Sequence, residues 1–580
     1  MWTIRIMRSG VSASFSVDCR LLAAASLLAL LAACGGGGGS NSEPKDSAKA
    51  IPNFIGPPTP VFEGTAPDAT RLLDQASFGP TPSAVAEAQN MGASAWVDDQ
   101  LAMPATGYAA IGYIDPNNNV GCPTGSPPTC FRDNYTSFPL QLQFFHNAVN
   151  GADQLRQRVA FAYSQIFVIS GIDIKETYGM RAYQQMLLDN AFSNYRVLLE
   201  HVTLNAGMGD YLDMVNNDKP NPSRGLEPNE NYAREVLQLF SIGLARLNPD
   251  GSVIKDTNGI AVPTYDQDTV EGFAHTFTGW TYAPRPGATS RWTNPRNYLG
   301  DMVPFDAHHD MASKLLLNGK TLSTGQTPQR DLADALDNIF SHPNVGPFIG
   351  RQMIQFLVTS NPTPQYVARI TAVFNDNGQG VRGDMKAVIR AILLDAEARG
   401  DSKTDIAYGK LRDPAVYAAS LARAFGAKTD GVYLNSQSGA MGQAVYVPGS
   451  VFNFYPPDYA LPNSATLVAP QFGVQNTTTT VARFNFVYAL LFSANGIAPD
   501  NSVPGAIGTK IDLSGYTSFA ATPATLVDQL DALMTHTTLT STEKNAIVTA
   551  VNAVPVSDTL GRVRSAAYLI AASPRYQITR

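Results

Sequence analysis

Thr327-Pro328-Gln329-Arg330-Asp331-Leu332-Ala333-Asp334-Ala335-Leu336-Asp337-Asn338-Ile339-Phe340 decides the fold class. Leu332, Ala335, Leu336, Ile339 and Phe340 recur at i, i+3, i+4, i+7 and i+8, which on a helix of 3.6 residues per turn is a single face. Thr327 offers a side-chain oxygen to the open amides of a first turn. Pro328 presets φ where no helical N–H bond is needed. The same spacing returns in both directions along the chain. Met385, Val388, Ile389, Ile392 and Leu393 repeat it, as do Leu526, Val527, Leu530, Leu533 and Met534 after Thr522-Pro523. Leu155, Val159, Tyr163 and Ile166 mark a further helix, and Tyr195, Leu198, Leu199 and Val202 another. Thr540 with Glu543 reads as a capping box ahead of Ile547 and Val548.

Strand signals are few. Val432-Tyr433-Leu434 and Ala444-Val445-Tyr446-Val447 are expected to pair as a short ribbon across a Gly-rich link. Long Pro-, Asn-, Gly- and Asp-rich loops fall at 104–135, 216–229, 281–307 and 455–476, lengths often tied to function in a compact domain. The expected class is mainly α: a large multi-helix domain over 63–580, with long loops and at most a small β ribbon. The 580 residues are 44% hydrophobic and 15% charged, enough apolar content for a large core and unlike a disordered chain. The net charge is −7 and no long basic run interrupts it, which argues against non-specific nucleic-acid binding.

The first 33 residues read as a targeting segment. Arg5, Arg8 and Arg20 precede the apolar run Leu21–Leu31, about half of the roughly 20 residues that a spanning helix needs. Leu31-Ala32-Ala33-Cys34 then places small residues before a cysteine, the pattern of a lipoprotein signal peptide whose Cys34 is acylated. Residues 34–62 read as a flexible tether, opening with five glycines, Gly35 to Gly39. Gly rather than Asp after Cys34 agrees with sorting to the outer membrane of a cell that has one. With Cys19 removed and Cys34 acylated, Cys122 and Cys130 remain. A disulfide across their Pro- and Gly-rich loop suits an exported chain. Two free thiols and half a metal site are the alternatives.

Two segments concentrate polar chemistry. Pro228–Gly243 reads as a helix with Tyr232, Val236, Leu239 and Phe240 on its apolar face and Gly243 at its stop. Glu230 and Arg234 stand at i, i+4 and Glu235 on another side. One reading is a helix start with a surface ion pair; the other is a buried network or a metal-bearing carboxylate at a site rim. Phe305-Asp306-Ala307-His308-His309-Asp310 packs two imidazoles and two carboxylates together. Such a set suits a divalent metal or acid–base work. Adjacent imidazoles point apart, so Asp306 with His308 is the better ligand pair. The alternative is a polar loop in which Asp310 caps the next helix. His146, His201, His275 and His342 are isolated and read as satisfied imidazoles; Trp280 follows His275 and offers a ring for stacking. There is no His-Glu-x-x-His, no Gly-x-Ser-x-Gly and no Rossmann fingerprint.

Several of these segments together resemble one bacterial family, domain of unknown function 1800. Arg71-Leu72-Leu73-Asp74-Gln75-Ala76-Ser77-Phe78-Gly79-Pro80-Thr81 is similar to its opening motif, and Leu155-Arg156-Gln157-Arg158-Val159-Ala160 to its next helix. Asn229-Glu230-Asn231-Tyr232-Ala233-Arg234-Glu235, Tyr265 to Trp280, Phe305 to Lys314, Lys410-Leu411-Arg412-Asp413-Pro414 and Ser573-Pro574-Arg575-Tyr576 follow in order. The chain departs from it at Asn453-Phe454, where the family is expected to carry a Gly-Trp pair. The resemblance implies an exported protein. It also implies a possible partner, because members are often encoded beside the exported family of unknown function 1501, which resembles sulfatases and alkaline phosphatases. It implies no reaction.

Two functions are therefore weighed. The first is a cell-envelope binding or assembly protein acting with a partner. The second is a hydrolase of an envelope or extracellular polysaccharide, using Glu230, Arg234, His309 and Asp310 with Trp280 as a stacking floor. The expectation for the second is that Glu230 and Arg234 lie close to His309 and Asp310.

Overall fold

A computed structural model describes residues 65–285, 287–400, 403, 405 and 407–580. The leader 1–33, Cys34 and the tether 34–62 lie outside the described residues.

Helices make the body and enter where capping and apolar spacing place them. Pro328–Ser341 is a helix with the Thr327 side chain accepting from the Arg330 amide. Leu332, Ala335, Leu336 and Ile339 are buried, and Phe340 closes the same face at its edge. The other spacings resolve as Gln154–Ile166, Tyr195–Leu204, Met385–Leu394 and Pro523–Met534. Both halves of the Thr540/Glu543 capping box form ahead of Ser541–Asn552. Val345–Leu357 packs on Pro364–Asn375, and Pro364–Asn375 on Met385–Leu394. Towards the C-terminal end, Thr477–Phe492, Pro523–Met534 and Ser541–Asn552 gather around Thr559–Ala572. Ala66–Ala76 reaches across the chain to touch Gln154–Ile166, Met385–Leu394 and Pro523–Met534. Among the described residues no helix is long and apolar enough to cross a membrane.

Among the described residues the β ladders are four antiparallel pairs of two residues each. They pair Trp280–Thr281 with Val303–Pro304, Lys314–Leu315 with Thr321–Leu322, Lys410–Leu411 with Ile578–Thr579, and Lys428–Thr429 with Thr509–Lys510. The expected ribbon over 432–434 and 444–447 does not form. Val432–Ala440 is a helix, entered from Gly431 at φ +83 with the Asp430 carboxylate accepting from the Val432 amide. Its buried positions, Leu434 and Ser438, are four apart. Val445 and Tyr446 are single core side chains on a turn. A three-residue apolar run carries no period, and packing against the helices Phe138–Asn150 and Pro414–Ala424 settles it.

Cys122 and Cys130 are disulfide-bonded with their Cα atoms 5.9 Å apart, inside the usual span for such a bond. The bond pins the short helices Asn118–Gly121 and Cys130–Asn134 within the loop 104–135. Residues 244–264 form an irregular antiparallel arm. It is held by bridges Ala245 to Pro263, Leu247 to Val253 and Lys255 to Ala261, and it connects the helices Asn231–Gln238 and Gln267–Thr276.

Candidate functional site

Helix Asn231–Gln238 is shorter than the Pro228–Gly243 reading. Asn229 accepts from the Asn231 amide, so the chain is still turning where the helix was expected to begin. Glu230 occupies the cap position with no side-chain cap bond; instead its carboxylate takes Arg234 at 2.6 Å. Both side chains are more than a third exposed, and both also reach Gln267, at 3.0 and 3.2 Å. This is the surface ion pair of the first reading. Glu235 turns inward and is buried. Burial raises its pKa, and its Oε2 atom has no hydrogen-bond partner.

Residues 308–310 divide between surface and core. His308 stacks on Trp292, ring centroids 4.1 Å apart, and its Nδ1 meets the Asp218 carboxylate at 2.9 Å. It therefore takes Asp218, not Asp306, as its partner. His309 points the other way and is buried. Its Nδ1 lies 2.9 Å from the Thr278 carbonyl and its Nε2 lies 3.0 Å from Asp331. Since Nδ1 faces a carbonyl that only accepts, the proton belongs on Nδ1 or on both nitrogens. Lys314 completes the group, 2.7 Å from Asp331 and donating to the carbonyls of Asp310 and Ala312.

Gly279 makes this seat possible. It adopts φ +84, and a Cβ there would fall 2.9 Å from the His309 amide nitrogen. Thr278-Gly279-Trp280 is thus a fitted strap over residue 309. Within the preceding helix, Gln267–Thr276, the Gly272 backbone lies against Leu315, whose carbonyl oxygen would sit 1.8 Å from an added Cβ.

Asp310 is not a helix cap. It accepts from the Ala312 amide at 2.9 Å and from His275 Nδ1 at 2.5 Å, and its own amide donates to Thr278 Oγ1. Burial works to raise its pKa, but the Ala312 amide, His275 and Lys314 outweigh it and hold the carboxyl below its ordinary range. The pair is partly open to solvent, His275 more than Asp310. A carboxylate on Nδ1 orients the imidazole and favours Nε2 as the proton acceptor. His275, read from sequence as an isolated imidazole, is thus the partner of Asp310. Its neighbour in sequence gave no sign of this, because the contact spans 35 residues.

The two polar segments meet the same helix, Gln267–Thr276, at opposite ends. Glu230 and Arg234 bond to Gln267 in its first turn, whereas Asp310 bonds to His275 in its last. Eight residues of helix separate those contacts, a rise of about 12 Å. Among the described residues, no hydrogen bond or ion pair joins the two sets directly. Trp280 is buried in the first ladder with its Nε1 unpartnered, so it presents no open ring for stacking. Trp292 is the partly exposed indole of this region. Among the described residues, no three His, Cys, Asp or Glu side chains gather to hold a metal ion.

A second polar assembly lies in the core. Arg412 forks onto Asp74 at 2.5 and 2.8 Å and donates to the Tyr576 carbonyl. His536 adds a bond from Nε2 to Asp74 at 2.5 Å and one from Nδ1 to the Arg580 carbonyl at 3.0 Å. Burial raises the Asp74 pKa, yet the Arg412 guanidinium outweighs it and holds the carboxyl far below its usual range. Asp68 pairs with Arg71 and Arg399 nearby. Asp413 accepts from the Tyr455 hydroxyl and faces Lys410 at 3.5 Å. These groups come from the segments beginning at Arg71 and Lys410 and from the last helix region, whose charged residues the apolar spacing left without a role. The signal available was the charge itself: Arg71 and Asp74 stand within the apolar helix Ala66–Ala76, and Arg412 and Asp413 stand directly before the apolar helix Pro414–Ala424.

At Asn453 the backbone takes φ +64, the left-handed region that Asn enters more readily than most residues and Gly most easily of all. The departure from an expected Gly therefore keeps the backbone geometry. No curated protein and no solved structure matches the chain. The family described as a protein of unknown function, DUF1800, matches residues 71–578, and this chain belongs to it.

Proposed function

We propose that this chain is an exported lipoprotein, held to the cell envelope through Cys34 and the tether 34–62, that binds or assembles with a partner protein. The observation that carries the reading is the arm 244–264. Leu244, Val253 and Ile260 on it are 60%, 42% and 65% exposed. Apolar side chains left exposed together on one arm suit a protein contact. The arm also joins the two helices that hold Glu230, Arg234 and Gln267, which gives the surface a charged border. An exported protein of the 1501 family from the same cell is the partner to try. The test is co-elution and titration of the two purified proteins. Leu244→Ser with Ile260→Ser is expected to weaken binding at least tenfold with an unchanged melting temperature. Full binding by that variant, or no binding by the wild type, would contradict the reading. The anchor has its own test: Cys34→Ala is expected to abolish fatty-acid labelling, and persistent labelling would refute it.

A second reading, hydrolysis of an envelope polysaccharide, rests on the His275–Asp310 pair. A carboxylate-oriented, partly exposed imidazole has the arrangement of a general base. Release of reducing sugar from envelope polysaccharide, lost in His275→Ala, would favour it over the binding role.

A further inference from the structure

The buried ionic assembly is not balanced. Asp74 is filled by both arms of Arg412 and by His536. Asp413, the other carboxylate, is taken by Tyr455 and Lys410. Two further arginines close around Asp413 and Tyr455 without a carboxylate of their own. Arg158 is 1% exposed and makes one hydrogen bond, from Nη2 to the Phe356 carbonyl at 3.0 Å, the same oxygen that Lys410 uses at 2.6 Å. Its Nε and Nη1 have no partner. Arg483 is fully buried and likewise makes one bond, from Nη2 to the Arg412 carbonyl at 2.9 Å. Its Nε and Nη1 also have no partner. Both guanidinium groups feel the Asp413 and Tyr455 side chains. Gln471 lies beside Tyr455, 1% exposed, with the Tyr455 hydroxyl as the near partner of its amide.

Arg158, Lys410, Arg412 and Arg483 thus face only Asp74 and Asp413. An unpaired buried cation is destabilising even after relaxation, and a buried N–H without an acceptor adds to that cost. Aromatic faces relieve part of this: Arg158 lies 5.7 Å over Phe78 and Arg483 5.0 Å over Tyr417. A ring face lowers the charge penalty but gives the in-plane N–H groups no acceptor. Guanidinium, ammonium and amide groups are the donors that carboxylate and phosphate oxygens accept from.

We infer that Arg158, Lys410, Arg483 and Gln471, gathered near Asp413, hold a small oxyanion enclosed within the folded chain. The oxyanion supplies the missing negative charge and an acceptor for an unpartnered nitrogen of each guanidinium. Because its walls are almost wholly buried, the ion is taken up as the fold closes and leaves only when it opens.

The experiment uses the full chain, desalted exhaustively in a buffer free of oxyanions and then unfolded in urea, with the released ions measured by ion chromatography. About one equivalent of phosphate, sulfate or small carboxylate per chain is expected. Refolding with inorganic phosphate, sulfate, formate or chloride at equal ionic strength identifies the class. A tetrahedral site raises the melting temperature with phosphate or sulfate, a planar one with formate, and chloride does neither. Arg483→Lys, which keeps the charge, should retain the fold and release at least threefold less ion, and Arg158→Met less still. No released anion and equal melting temperatures in all four salts would overturn the inference and leave these donors to water. Ion release that is unchanged in Arg483→Lys would overturn it too, because the ion would then be bound elsewhere.

Discussion

His309 and Glu230 were equal candidates by composition, and their surroundings separate them. His309 is enclosed with Asp331 and Lys314, so His309→Ala leaves the buried Asp331 carboxylate and the Thr278 carbonyl each short of a partner. A loss of about 2–4 kcal/mol is expected in denaturant unfolding. Glu230 shares a half-exposed pair with Arg234, and Glu230→Gln should change stability by less than about 0.5 kcal/mol. Similar losses in the two variants would contradict this division. His342 supplies the pH dependence. It is buried, its Nδ1 accepts from the Asn344 amide at 3.1 Å, and burial pulls its pKa down to about 4. The unfolded imidazole titrates near 6.5, so between those values the unfolded state binds the proton and the folded state does not. The contribution is complete above pH 6.5 and is lost as pH falls towards 4. Melting temperature should therefore drop across that window, and His342→Gln should flatten the drop; an equal slope in the variant would refute the assignment.

Elements were legible where a period of 3.6 ran for three turns. Pro328–Ser341 and Met385–Leu394 were read close to their ends, because apolar spacing and a cap agreed. The segment 432–447 was misread because its apolar runs are too short to show a period, and the neighbouring helices decide it. The Glu230 helix was overextended because an Asn-rich turn carries the same polar residues as a helix start. The Cys122–Cys130 bond was readable from context, since an exported chain with two remaining thiols and a turn-rich loop has few other uses for them. That bond closes a short loop, so its removal by Cys122→Ser with Cys130→Ser is expected to cost nearer the low end of about 2–4 kcal/mol. Limited proteolysis should then cut first within 104–135. An unchanged cleavage pattern, or two alkylatable thiols in unreduced wild-type protein, would contradict the clamp.

At the scale of the whole molecule, the least legible feature is the one that ties the chain together. Asp74 meets Arg412 across 338 residues and His536 across 462. No local pattern announces such contacts: Asp74 is on a helix, whereas Arg412 and His536 stand on the segments between helices. Residues 71–74 and 410–413 supply this frame, and Thr278, Gly279, Asp331 and Lys314 form the seat of His309. The pairing of Asp74 with Arg412 is the centre of the frame, and a double-mutant cycle with Asp74→Asn and Arg412→Met tests it most directly. Each single variant should lose about 3–5 kcal/mol in denaturant unfolding, since each strands a buried charge. The double variant should lose less than the sum by about 2 kcal/mol or more. Losses that add to within about 0.5 kcal/mol would contradict a buried frame joined through this pair.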